Sequence, residues 1–164
     1  FCHMNAVNLR FAEEKDMKSV LALIQELADF EKEPDAVVVT EADLKRDAFG
    51  EQPKFQCIVA EKEESIIGMA LFYPRYSTWK GPTLHLEDLI VTHTERGTGV
   101  GKALYTAFID YAFSQKVKRI EWVVLDWNTH AVNFYKESGA SVLTDWCTVQ
   151  MDDVAMQQYL AKEK

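Results

Sequence analysis

The sequence predicts an α/β fold, a single domain with a mixed central β-sheet flanked by helices. Three observations predict it. Apolar stretches of strand character alternate along the chain with stretches that repeat at helical spacing. Residues 84–92 are apolar on both faces, as in a strand set deep in a sheet. That run leads through Arg96-Gly97-Thr98-Gly99-Val100-Gly101-Lys102 straight into the strongest helical pattern of the chain. With 164 residues there is material for one domain with a real core.

Taken in order, residues 6–12 read as a short strand. Asp16 is placed to cap a helix on which Met17, Val20, Leu21, Ile24, Leu27 and Ala28 share one face, and Pro34 closes that region. Thr40-Glu41-Ala42-Asp43 has the form of a capping box, opening a shorter helix that ends near Gly50. Residues 55–61 and 65–73 read as strands joined by the acidic turn Lys62-Glu63-Glu64, and residues 76–82 as a loop. The strand at 84–92 is expected at the centre of the sheet. Val100, Ala103, Leu104, Ala107, Phe108, Tyr111 and Ala112 then mark a helix. Residues 119–125 read as a strand, 129–138 as a helix stopped by Gly139, and 141–151 as a final strand, with a turn of helix after Asp152. There is no internal repeat, low-complexity stretch or linker. Phe1-Cys2-His3 ahead of Met4 reads as foreign to the protein proper, which leaves 5–164 as the domain.

Composition narrows the class. Nearly half the residues are apolar, no apolar run approaches membrane-spanning length, and no secretory signal precedes the first helix. A net charge of −8 speaks against nucleic acid and is compatible with a cationic substrate, although acidic proteins are also acidic simply for solubility. Cys2, Cys57 and Cys147 are odd in number and form no metal-ligand pair, which fits a reducing, cytoplasmic setting. His3, His85, His93 and His130 form no metal pattern either, so no metal is expected.

The glycine segment carries the chemistry. Glycines at alternate positions strip side chains from one side of the turn, so backbone N–H groups can approach a ligand closely. The helix that follows adds its positive end. This is a cradle for an anion, foremost a phosphate, with a ligand-free glycine turn as the plain alternative. A mononucleotide loop needs four residues between its first Gly and the Gly-Lys pair, then Ser or Thr. Here Gly97 and Gly101 enclose three, and Ala103 follows Lys102. A dinucleotide turn needs G-x-G-x-x-G, and the third glycine arrives one residue early. What remains is Arg-x-x-Gly-x-Gly, met by Arg96, Gly99 and Gly101.

That motif resembles the pyrophosphate-binding signature of the GNAT family of N-acetyltransferases, whose order of elements is also the one read above. The resemblance implies that acetyl-coenzyme A is the co-substrate. It would be held by Leu89, Ile90, Val91, Arg96, Gly97, Thr98, Gly99, Val100, Gly101 and Lys102. Asn128, Ala131, Phe134, Tyr135, Gly139 and Ala140 are similar to the family pattern that lines the co-substrate, in which the tyrosine faces the sulfur. Leu27-Ala28-Asp29-Phe30-Glu31, Tyr76-Ser77-Thr78-Trp79-Lys80-Gly81, Leu86-Glu87-Asp88 and Val124-Leu125-Asp126-Trp127-Asn128 look like the spermidine/spermine acetyltransferase branch. Within it they are most similar to the diamine acetyltransferases that prefer thialysine. The resemblance runs from about residue 8 to 146. It implies a homodimer with shared substrate sites, and an amine pocket lined by Phe30, Glu31, Ser77, Trp79, Glu87 and Trp122. Two departures stand out: polyamine-preferring members carry an aspartate at the position of Ser77, and the segment around Asp145-Trp146 is shorter than theirs.

The reaction follows from the groups. A primary alkylamine has a pKa of about 10.4, so at neutral pH it must be bound as a cation and then deprotonated. Glu87 is the candidate base, direct or through water, and Tyr135 the candidate acid for the departing thiolate. Backbone N–H groups near Leu89 to Val91 would polarise the thioester oxygen. Glu87 and Asp88 are expected on opposite faces of their strand. Attack within a ternary complex is preferred to an acyl-cysteine route, since neither Cys57 nor Cys147 has an activating neighbour in sequence. His130, beside the co-substrate helix, and His85 and His93, flanking the strand, have no assigned role. Three readings stay open: a small-molecule amine acetyltransferase, a protein or peptide N-acetyltransferase of the same fold, and a non-catalytic acyl-coenzyme A binding module.

Overall fold

The computed structural model describes residues 3, 4 and 6–164; the reading of Phe1-Cys2-His3 as foreign falls, for Phe1 and Cys2, outside them. The chain divides into two compact units, one ending at Val123 and the other beginning at Val124. The first holds the strands β1 (His3–Met4), β2 (Val7–Phe11), β3 (Gln56–Lys62), β4 (Ser65–Ser77), β5 (Gly81–Val91) and β6 (Ile120–Glu121). It also holds the helices α1 (Met17–Phe30), α2 (Glu41–Phe49) and α3 (Val100–Ser114). The sheet follows chain order from β1 to β6; all neighbours are antiparallel except β5 and β6, which are parallel. The expected mixed sheet is present.

Both faces of this sheet are covered. Cys57, Val59, Met69, Leu71 and Ile90 pack with Met17, Val20 and Leu23 of α1 and Leu44 of α2. Ile58, Ala60, Ala70, Phe72, Leu84 and Leu86 pack with Val100, Leu104, Ala107, Phe108 and Ala112 of α3. Strand alternation thus feeds two cores at once, which is why β3 reads as a continuous apolar run. Phe72 and Phe108 are fully buried with ring centroids 5.0 Å apart. Truncating either to alanine would cost about 3–5 kcal/mol.

Several local readings need correction. Asp16 does not cap α1 with its side chain. Its carboxylate accepts from Arg10 (2.7 Å) and from the Glu13 N–H (2.7 Å), so it closes the preceding turn and an ion pair instead. Burial pushes its carboxyl up, but these hydrogen bonds outweigh that and hold it below its usual value. The loop read at 76–82 shrinks to a tight turn, because β4 and β5 stay paired out to Ser77 and Gly81. The strand read at 119–125 is two residues long. As a result β5 is flanked on both sides only near Leu84 and His85, and its second half is paired by β4 alone.

The second unit holds α4 (Thr129–Glu137) and α5 (Asp153–Lys162). Asn128 caps α4, accepting from the Ala131 N–H at 3.3 Å. Gly139, at φ +100°, ends the segment, and the Ala140 N–H reaches back to the Tyr135 carbonyl. The final strand expected at 141–151 is absent from the described residues, and these residues are mostly exposed. Among the described residues no helix is long and apolar enough to cross a membrane.

Candidate active site

The site begins with a bulge. Asp88 lies opposite Leu71, Leu86 opposite Phe72 and His85 opposite Tyr73, so Glu87 is an extra residue in β5. Below the bulge, Leu84 and Leu86 face α3 and His85 faces the other way; above it, Ile90 faces α1. The bulge shifts the alternation by one residue. Glu87 and Asp88, expected on opposite faces, therefore both come to the α1 side.

Three carboxylates there act on one another electrostatically. Glu31 follows the last residue of α1 and is half-buried. Burial and then Glu87 raise its carboxyl above the usual range. Asp88 is pushed up to about 6, by burial first, then by Glu87 and Glu31. The Glu87 side chain is about half exposed, accepts from the Tyr73 hydroxyl at 3.2 Å and lies 3.5 Å from Nε2 of the buried His85. Burial and Glu87 push the Tyr73 hydroxyl up in turn, which keeps it protonated as a donor. Like charges that raise one another's pKa favour a bound cation, which relieves their repulsion. Sequence reasoning missed Tyr73 and the joining of Asp88 to Glu87. Strand pairing marks Tyr73 through its place opposite His85; a bulge has no signal in one strand alone.

The glycine turn begins at Arg96, eight residues after Asp88 along the chain. Gly97 and Gly99 have φ of +77° and +88°, a region that side chains rarely tolerate. Gly99 occupies the N-cap of α3 and supplies no side-chain acceptor. The first intrahelical bond runs from the Ala103 N–H to the Gly99 carbonyl, so the N–H groups of Val100, Gly101 and Lys102 precede the helical ladder. Arg96 to Gly99 and Lys102 are exposed. The donor set and the glycine geometry fit a pyrophosphate. Leu89, Ile90 and Val91 carry backbone groups on the edge of β5 that no strand covers among the described residues.

The other expected residues fall elsewhere. The Ser77 hydroxyl is buried and accepts from the N–H groups of Trp79 (3.2 Å) and Lys80 (3.1 Å), holding the β4–β5 turn. Trp79 is exposed on that turn. Both lie at the far end of the hairpin from Glu87, six residues along β5, or roughly 20 Å at about 3.3 Å per residue. Trp122 packs edge-on to Tyr105 and against the core beneath α3. Phe30 lies at the end of α1, with the Arg96 guanidinium carbon 5.5 Å above its ring. In the second unit, Phe134 and Tyr135 are half-buried in edge contact on α4. Cys57 is buried, which pushes its thiol well up and removes it as a nucleophile.

The acetyltransferase (GNAT) family profile matches residues 20–140. The chain belongs to the GNAT family. This GNAT acetyltransferase is 36% identical over 170 residues to a thialysine N-epsilon-acetyltransferase of Bos taurus, covering 97% of this chain and all of that one. It is 35% identical over 145 residues to a thialysine N-epsilon-acetyltransferase of Caenorhabditis elegans, covering 87% and 89%. An integron cassette protein from the mobile metagenome of V. cholerae shares the fold. The TM-score is 0.77 at 22% identity, over 96% of this chain and 98% of that one.

Proposed function

We propose that this GNAT acetyltransferase transfers the acetyl group of acetyl-coenzyme A to a primary amine of a small molecule, a diamine or a thialysine-like amino acid, by direct attack in a ternary complex. The observation that carries the reading is the electrostatic coupling of Glu31, Glu87 and Asp88 at the β5 bulge, on the strand that leads into a helix start with no side-chain cap. A primary ammonium satisfies the three carboxylates. Glu87, the most exposed of them, takes its proton directly or through water, and the Tyr73 hydroxyl steadies the carboxylate that does so. The freed amine attacks the thioester carbon. N–H groups of Leu89 to Val91 on the uncovered edge of β5 receive the developing oxyanion. The C–S bond then breaks, and Tyr135 gives its proton to the leaving thiolate. Arg96 to Lys102 hold the pyrophosphate through backbone donors, and Asn128, Ala131 and Phe134 line the remainder of the co-substrate.

The family profile spans both compact units, which supports one catalytic domain. The distance of Ser77 and Trp79 from Glu87 along one hairpin supports their serving a second copy, in a homodimer with shared sites. Cys57 and Cys147 are both free thiols, in keeping with a cytoplasmic setting. Turnover measured side by side on thialysine, short diamines, spermidine, spermine and a lysine peptide tests the substrate class. The small amines should lead. A preference for the peptide overturns the class, and a preference for spermine overturns the choice within it.

A further inference from the structure

An exposed turn that presents backbone donors must be held in shape before its ligand arrives. Ordering costs about 1–2 kcal/mol per residue, and whatever is not already ordered is subtracted from affinity. Between β5 and α3 the chain runs through residues 92–99, with only one short 3-10 turn at His93–Glu95. What orders it comes from far away in sequence. One Glu26 carboxylate oxygen on α1 accepts from the Thr92 hydroxyl at 2.9 Å, and the other accepts from the His93 N–H at 2.7 Å. The second oxygen also lies 3.7 Å from Nη2 of Arg96. The Arg96 Nε donates to the Val91 carbonyl at 3.1 Å, and its guanidinium carbon sits 5.5 Å over the Phe30 ring. Phe30 is one turn beyond Glu26, on the same face of α1. The Arg96 side chain is folded back onto α1 rather than reaching forward, so the cradle relies on backbone donors that α1 holds together with β3 and β4. Lys62 of β3 bonds the Glu95 carboxylate at 3.1 Å, and the Ile67 carbonyl of β4 accepts from the Thr92 N–H at 2.8 Å.

We infer that Glu26 is the positioning residue of the co-substrate turn, a role that rests on reading residues 96–102 as the acetyl-coenzyme A cradle. Glu26 touches neither substrate. It acts through Thr92, His93 and Arg96, and its contribution appears as affinity for acetyl-coenzyme A. The variants Glu26→Ala, Glu26→Gln and Thr92→Val test this by calorimetric titration with acetyl-coenzyme A and by kinetics in each substrate. Glu26→Ala should raise both Kd and KM for acetyl-coenzyme A about tenfold, with kcat and the amine KM within about threefold. Glu26→Gln keeps an acceptor for His93 and an amide that can bond the Thr92 oxygen, so it should return most of the loss. Thr92→Val removes one hydroxyl and should cost about threefold. Parent-like affinity in Glu26→Ala, or a loss falling on kcat, overturns the inference. Equal losses in Glu26→Ala and Glu26→Gln also overturn it. If Glu26→Ala does not fold, Thr92→Val decides, and parent-like affinity there is equally fatal. Failure of the unmodified chain to bind acetyl-coenzyme A overturns the cradle reading itself.

Discussion

Residues 87–102 present two opposite electrostatic surfaces within sixteen positions. At the β5 bulge the chain gathers negative charge, with Glu87 and Asp88 joined by Glu31. At the α3 start it offers a positive end, with backbone donors ahead of the helical ladder and no capping side chain. The contrast with α2 sharpens the point. There the Thr40 hydroxyl accepts from the Asp43 N–H at 3.2 Å, and the Asp43 carboxylate accepts from the Thr40 N–H at 2.9 Å, so the helix start is satisfied internally. A start meant only to begin a helix is closed by its own side chains. The start of α3 is left open by a glycine. The difference teaches that the start of α3 keeps backbone donors available that the start of α2 spends on its own side chains.

Each half of the contrast can be broken separately. The largest effect is expected at the bond that breaks in the proposed reaction. Tyr135→Phe keeps the ring and removes the proposed proton donor, so kcat should fall by roughly two to four orders of magnitude with the amine KM little changed. The deficit should shrink with acyl donors whose thiol is more acidic. A kcat within a few-fold of the parent would reduce Tyr135 to a packing residue.

Breaking the negative half comes next. Glu87→Gln keeps shape and loses the proposed base, so turnover should drop about a hundredfold near neutral pH. The drop should lessen at high pH, where free amine is already present. A loss uniform across pH would mean that Glu87 only attracts the cation.

The positive half is broken by Gly99→Val. The position has φ +88°, and a branched side chain there is strained and stands over the donors. KM for acetyl-coenzyme A should rise roughly ten- to a hundredfold, about 1.4–2.7 kcal/mol, while the fold persists. Unchanged affinity would show that the cradle lies elsewhere.

The smallest effect is on stability, and its sign follows from burial. Asp88 has its carboxyl pushed up to about 6, above the value of the unfolded chain, so the folded protein binds that proton more tightly. As pH rises from about 4 to about 6 the folded state therefore loses stability, and above about 6 the loss is complete. Asp88→Asn should raise Tm at about pH 8 by several degrees, for about 2 kcal/mol, and raise it little at about pH 4. Adding an amine substrate to the parent should likewise stabilise it more at about pH 8 than at about pH 4. The same gain at both values would mean that Asp88 is not held as a strained carboxylate.

Much of this was legible in the chain because it is local. The capping box at Thr40, the apolar face of α1, the paired strands read at 55–61 and 65–73 and the helix after Gly99 each depend on residues a few positions apart. Other readings failed where a partner decides. Asp16 has the right chemistry for a helix cap, but Arg10, on a neighbouring strand, offers a stronger hydrogen bond. Residues 76–82 carry turn chemistry, yet pairing between β4 and β5 shortens the loop to its tip. The expected strand at 141–151 has alternation in its sequence but no sheet partner among the described residues.

The same division runs through the site. The sequence by itself determined the glycine turn, its mismatch with nucleotide-loop spacing, and the presence of Glu87 beside it. Left-handed backbone and bare N–H groups are properties of the residues themselves. Only the tertiary structure decided that Glu87 and Asp88 share a face, because a bulge is a mismatch between two strands and exists in neither alone. The raised Asp88 carboxyl comes from burial and from Glu31, which the chain brings in from α1. The turning of Arg96 back onto α1 depends on Glu26 and Phe30. These are interactions between groups far apart in sequence, and their energies arise only once the sheet and α1 have packed.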